Sequence, residues 1–187
     1  MKTQQKFSAK VVLGIALFGW MASANSFAQT PTPPPLNDAQ ILGVVNATNN
    51  GLVVQANLVA TRAVRDTLRT YAQKQIAEDS TSNNQIVSIT QANNAPIQST
   101  VYSTAFTVES KAAVLVLTPM SGNSFDSIYV NTQIKLQQEA IATLDKLLIP
   151  SATAANVKAF LIQNRAMVTA HLVEAQTILQ AIRLTQY

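Results

Sequence analysis

The chain has 187 residues, with 13 Lys or Arg, 9 Asp or Glu, one His and no Cys. Without a thiol, cysteine nucleophiles, disulfides and thiolate metal sites are excluded, and the fold must be held by packing. Charged residues make up 12% of the chain, about half the usual share near 25%.

Lys2, Lys6 and Lys10 precede an apolar run from Val11 to Met21, and Ser26-Phe27-Ala28 follows. A charged start, a short apolar stretch and a small-x-small site predict a signal peptide over 1–28, with Gln29 as the first mature residue. The apolar run is too short to span a bilayer, which takes about 20 residues. No Cys follows the cleavage site to carry a lipid, and no transmembrane segment is expected after cleavage. Removing 28 of 187 residues leaves 159, with 10 basic against 9 acidic side chains. That near-neutral balance lacks the basic footprint of a nucleic-acid binder, so no nucleic-acid partner is expected. The pattern predicts export across the inner membrane, to the periplasm or outer cell envelope.

Residues 29–36 include Thr30-Pro31-Thr32-Pro33-Pro34-Pro35, a composition that favours an extended polyproline II spacer. The remainder, 37–187, reads as a single helical domain. In the first helix Ile41, Val45, Leu52, Ala56, Val59 and Ala63 fall within about 60° of one another at 100° per residue. Asn37 or Asp38 is placed to cap it. Gly51 costs it about 1 kcal/mol against Ala, which suggests a close backbone approach or a bend. A turn is expected at Val64 to Asp66, with Asp66 capping a second helix over 66–91 that carries Leu68, Ala72, Ile76 and Ile86. Asn93-Asn94-Ala95-Pro96 breaks the pattern. In the stretch that follows, Glu109 to Leu117 suits a short helix better than a strand.

A helix over 123–148 carries Phe125, Tyr129, Leu136, Ala140, Leu144 and Leu147, and Pro150 is expected to stop it. Ser151 or Thr153 then caps a last helix, to about Leu184, on Val157, Phe160, Leu161, Val168, Leu172, Ala175, Ile178, Leu179 and Ile182. Four long amphipathic helices with short turns and one crossing segment define an all-α fold. It is an up-down four-helix bundle of ferritin-like connectivity, two hairpins joined by the crossing segment.

Six polar residues fall on or beside the apolar stripes: Asp79, Asn83, Gln133, Gln137, Asn164 and His171. A hydrogen-bonded polar layer in the core is the expected arrangement. Counting turns from Pro150 places Gln133 nearest His171 in height, with Tyr129 close by, and an ionised Asp79 in an apolar stripe calls for His171 as its cation. Carboxylate di-iron bundles use about four carboxylates and two His, so no metal and no cofactor is expected. A metal, if bound, would fall to Asp79, His171 and Glu174. No catalytic residues are assigned: a single His without a fixed Ser gives no triad, and five Gly form no phosphate loop. Adjacent helix residues do not face one another, so Glu78-Asp79 reads as one solvated and one core side chain. Arg62, Arg65 and Arg69 flank the second helix, where long side chains covering a core edge explain them more simply than lipid headgroups do.

The segments "LRTYAQKQIAEDSTSNNQI", "SGNSFDSIYVNTQIKLQQEAI" and "VKAFLIQNRAMVTAHLVEAQ" resemble, in this order, the exported bacterial family termed domain of unknown function 4142. The match is most specific at Ser121-Gly122, Phe125-Asp126 and Tyr129, and it implies a ferritin-like helical bundle. Relatives commonly carry Asp-His where this chain has Glu78-Asp79, a His at Gln137, and acids where Val53 and Gln55 stand. Only His171 keeps its type. The outer-membrane label often given to the family is not accompanied by alternating ten-residue strands. Two expectations about function follow. The favoured one is a non-enzymatic envelope protein acting through contacts with a protein, an envelope surface or a second copy of itself. The alternative is a metal or small-ligand binder that uses the inward polar layer.

Overall fold

The computed structural model describes residues 35–184. The leader over 1–28 and spacer residues 29–34 lie outside the described residues. The elements are α1 (Asp38–Arg62), α2 (Asp66–Ala92), α3 (Val101–Leu117), α4 (Gly122–Thr143), a π-helical turn (Leu144–Leu148), α5 (Ile149–Ser151) and α6 (Ala155–Leu184).

Local chemistry sets each boundary. At α1 the side chain of Asn37 accepts from Gln40 N at 2.9 Å while that of Gln40 accepts from Asn37 N at 3.0 Å. This reciprocal capping box satisfies two backbone donors. Asp38 is therefore not the cap. Its carboxylate accepts instead from Thr153 N at 2.9 Å, Thr153 Oγ1 at 2.6 Å and Ala154 N at 2.9 Å. Thr153 is thus bound by Asp38 rather than capping the last helix, which begins at Ala155.

The first turn falls where the sequence places it, but Asp66 does not cap α2: Arg65 holds the cap position, Asp66 is the first helical residue, and its carboxylate pairs with Arg69. The buried carboxylate of Asp126, on α4, accepts from Val64 N and Arg65 N at 3.1 Å each and from the Arg65 guanidinium at 3.3 Å. Helix α3 starts more than two turns before Glu109. Thr100 Oγ1 accepts from Ser103 N at 3.1 Å and Ser103 Oγ from Thr100 N at 2.7 Å, a capping box in which Ser replaces the usual Glu or Gln. Pro150 does not stop the helix at Leu148. Proline removes one donor and crowds the carbonyl four residues back, and the chain answers with a wider turn in which Ile149 N donates to Leu144 O. The helix then runs on to Ser151.

α1 packs on α2 and α3, α4 packs on α6, and α2 closes against α6. Two helical hairpins joined by the segment that carries α3 make the all-α bundle expected from the sequence. Gly51 marks a close approach: a Cβ there would meet Ser110 Cβ at 2.7 Å, and Ser110 Oγ donates to Gly51 O at 2.8 Å.

The core has two apolar clusters. One gathers Ala56, Val59, Leu68, Tyr71, Phe125, Tyr129, Ile178 and Ile182. The other gathers Ile41, Val45, Ile86, Leu144, Leu148, Val157, Phe160 and Leu161. Burying one large aliphatic side chain contributes about 1.5–3 kcal/mol, so the clusters carry the stability. Each long helix passes from one cluster to the other and, Asp126 at the start of α4 apart, its buried polar residues lie at or beside that crossing.

Candidate functional site

The crossing zone is a polar layer at mid-bundle. Asn49 and Gln55 come from α1, Gln75, Asp79 and Ser82 from α2, Gln133 and Gln137 from α4, and Asn164 and His171 from α6; all are buried.

Five hydrogen bonds run through the layer in one donor direction. Tyr129 Oη donates to Gln75 Oε1 at 3.0 Å and Gln75 Nε2 donates to Gln133 Oε1 at 2.9 Å. Gln133 Nε2 donates to Gln55 Oε1 at 3.2 Å, Gln55 Nε2 to Ser110 Oγ at 3.2 Å, and Ser110 Oγ to Gly51 O. Gln133 therefore points inward because amides on α1 and α2 meet it there, each supplying what the other lacks. Gln137 Nε2 reaches Gln133 Oε1 at 3.5 Å. A second set is centred on Ser82 Oγ, which accepts from Asn49 Nδ2 and Asn164 Nδ2 at 3.0 Å each. Asn83 is only half-buried, so it belongs to the rim rather than the core; it accepts from Asn46 at 3.2 Å and Asn49 at 3.0 Å, and donates to Asn50 at 2.8 Å.

Two expected pairings do not form. His171 Nε2 lies 2.6 Å from Glu78 Oε2, while neither Asp79 oxygen has a hydrogen-bond partner among the described residues. Glu78 and Asp79 are about 100° apart around α2, and the crossing of α2 with α6 presents the outer carboxylate to the imidazole. Gln133, engaged by three other amides, is not bonded to His171. The ring of His171 instead meets the edge of Tyr71, with centroids 6.2 Å apart.

Burial dominates the electrostatics. It pushes the Asp79 carboxyl well above its ordinary range, and the charge of Glu78 adds to this. The Tyr71 and Tyr129 phenols are also raised, by burial first and then by neighbouring negative charge. Burial lowers the His171 imidazole, and this outweighs the opposite pull of Glu78.

Glu174 is turned away from the layer to pair with Lys74 at 2.8 Å. Asp79, His171 and Glu174 are thus not brought together, and among the described residues no three His, Asp or Glu side chains could hold one metal ion. Arg62 covers a core edge, as the sequence suggests: its guanidinium stacks 4.8 Å from the Phe125 ring and donates to Thr118 O and Met120 O. Arg69 donates to Ala63 O at 2.5 Å, closing the first turn.

The sequence reading missed Asn49, Gln75, Ser82 and Ser110 as inward residues, and it touched Gln55 only through the family comparison. Their signal was present for Gln75, which lies four residues from both Tyr71 and Asp79 on one helical face.

An all-helical bundle with a hydrogen-bonded polar layer is the class of protein that fold and site define. The model for "Domain of unknown function (DUF4142)" matches residues 22–178, and the chain belongs to that family. No curated protein and no solved structure matches it. Among the described residues no helix is long and apolar enough to cross a membrane.

Proposed function

We propose that this is an exported cell-envelope protein that is non-enzymatic and acts through contacts its helix surface makes with another molecule. One observation carries the reading. On α3, Val101, Val108 and Leu115 are 78%, 61% and 74% exposed, and they recur every seven residues along one face. A bundle that buries amides and carboxyls at its centre leaves these side chains in water, and contiguous exposed apolar surface marks interaction sites. The leader over 1–28 supports export. Asp79, Tyr129 and His171 have no exposed surface, which supports a structural rather than a catalytic part for the layer.

The test is a photo-crosslinking side chain placed at Val108 in cells, with Lys158 on α6 as the control position. Recovered from the envelope, the chain should begin at Gln29 and carry a discrete added mass only when the probe is at Val108. Equal adducts at both positions, none at either, or a full-length chain in the cytoplasm would overturn the reading.

A second reading rests on the acceptors without donors, namely both Asp79 oxygens, Gln137 Oε1 and His171 Nδ1. A cation or small polar guest would answer them. Near-unit metal per purified chain, lost on His171→Ala, would favour that reading. With Glu174 held by Lys74 and His171 by Glu78, the expected result is no stoichiometric iron, manganese or zinc.

A further inference from the structure

We propose that the groove between α1 and α3 binds a single-chain anionic amphiphile, with a fatty-acid carboxylate seated at Lys111. The inference rests on reading α3 as a contact surface, and it names the occupant.

The groove encloses about 830 Å³, within the range of about 300–1,000 Å³ typical of small-molecule sites. Two glycines of α1 fix its walls. A Cβ on Gly43 would lie 2.1 Å from Gln98 O, and one on Gly51 would lie 2.7 Å from Ser110 Cβ. The lead-in to α3 and α3 itself are therefore seated directly on the α1 backbone, and the groove opens beside these contacts. Val54, Val108, Val114 and Leu115 supply its apolar lining. From Lys111 the α3 wall runs about 12 Å back to Ser103 at 1.5 Å per residue, the stretch along which an acyl tail lies once its carboxylate is seated.

Charge selects the guest. Among the described residues that line the groove, Lys111 is the one that is charged. Lys74 and Lys135 each have carboxylate partners, at 2.8 Å and 2.6 Å, but Lys111 makes no ion pair among the described residues. A second copy of α3 is a poorer occupant. Antiparallel pairing about Val108 would enclose two Lys111 ammoniums about 9 Å apart along the axis, with Ala105 rather than an acid opposite each. A guest that brings its own anion and an apolar tail matches both the lysine and the apolar side chains around it.

The experiment is calorimetric titration of the purified mature chain with dodecanoate below its micelle concentration. Dodecyl maltoside serves as a neutral ligand with the same tail. One dodecanoate per chain is expected. Lys111→Glu should weaken dodecanoate about tenfold or more and leave dodecyl maltoside within about twofold. Lys111→Arg should restore dodecanoate, and Val108→Glu should abolish both ligands. Both positions are exposed, so circular dichroism and melting of the variants should match the parent. No dodecanoate binding, or binding unchanged by Lys111→Glu, would overturn the inference. A concentration-dependent dimer broken by Val108→Glu, without dodecanoate binding, would give the surface to a second copy. That outcome overturns the inference but leaves the contact-surface reading standing; that reading fails only on the crosslinking result.

Discussion

His171 and Glu78 join α6 to α2 across 2.6 Å at the edge of the polar layer. The imidazole is buried, whereas the Glu78 side chain is 40% exposed, so water screens the carboxylate's pull. Desolvation wins, and the His171 pKa lies below 6.5. A depressed histidine pKa means that the unfolded chain takes up the proton first. The stability tied to His171 is therefore fully present above about 6.5 and is lost as pH falls below that value. His171 is the only His in the chain, so its imidazole signal can be followed by NMR without ambiguity. Glu78→Gln should lower its pKa further and Asp79→Asn should leave it unchanged. A folded pKa above 6.5 would contradict this.

Asp79 has the opposite slope. Its folded pKa is raised, by burial first, so its stability term is intact below about 3.9 and declines as pH rises through the folded pKa. Asp79→Asn keeps the shape and removes the charge. Urea unfolding at pH 8 should show the variant about 1–2 kcal/mol more stable than the parent, with a smaller difference at pH 5. A variant less stable at pH 8 would mean that the carboxylate has a partner.

Gln133→Leu should remove the acceptor used by Gln75 and Gln137 and the donor used by Gln55. Leaving buried polar groups unpaired costs about 1–3 kcal/mol each, so denaturant unfolding should show a loss of at least that size. An unchanged midpoint would show that the three amides find other partners.

Asp126→Ala should uncap the first turn. The carboxylate serves two backbone donors and Arg65, and charged hydrogen bonds contribute about 1.5–3 kcal/mol. The expected loss is about 2–3 kcal/mol. Hydrogen exchange at Val64 and Arg65 should quicken more than exchange across α6; uniform quickening would contradict a local role.

The bundle was legible because period 3.6 dominates 38–92 and 122–184; Gly51 signalled a close approach or a bend, and which helix approaches came only from the packing. The start of α3 was hidden by β-branched residues and by a capping box built from Thr100 and Ser103, where Glu or Gln is the usual sign. Pro150 misled because a π turn absorbed it. The inward position of Asp79, Gln133 and His171 follows from helical phase, which sequence supplies. Which side chain each one touches depends on how neighbouring helices cross, a property of the packed pair. That is why Glu78 rather than Asp79 reaches His171, and why Gln75 rather than His171 meets Gln133.

The link from Asp38 to Thr153 and Ala154 ties the beginning of the first helix to the beginning of the last, across 115 residues. Contacts within each hairpin are closer in sequence and close their loops at smaller entropic cost. The Asp38 contact joins the two hairpins, so it forms only once they dock. Bonds absent from the folding transition state act on the unfolding limb alone. Asp38→Ala should leave the refolding rate nearly unchanged and speed unfolding, so this one carboxylate acts as a latch on the finished molecule rather than as a guide to its assembly.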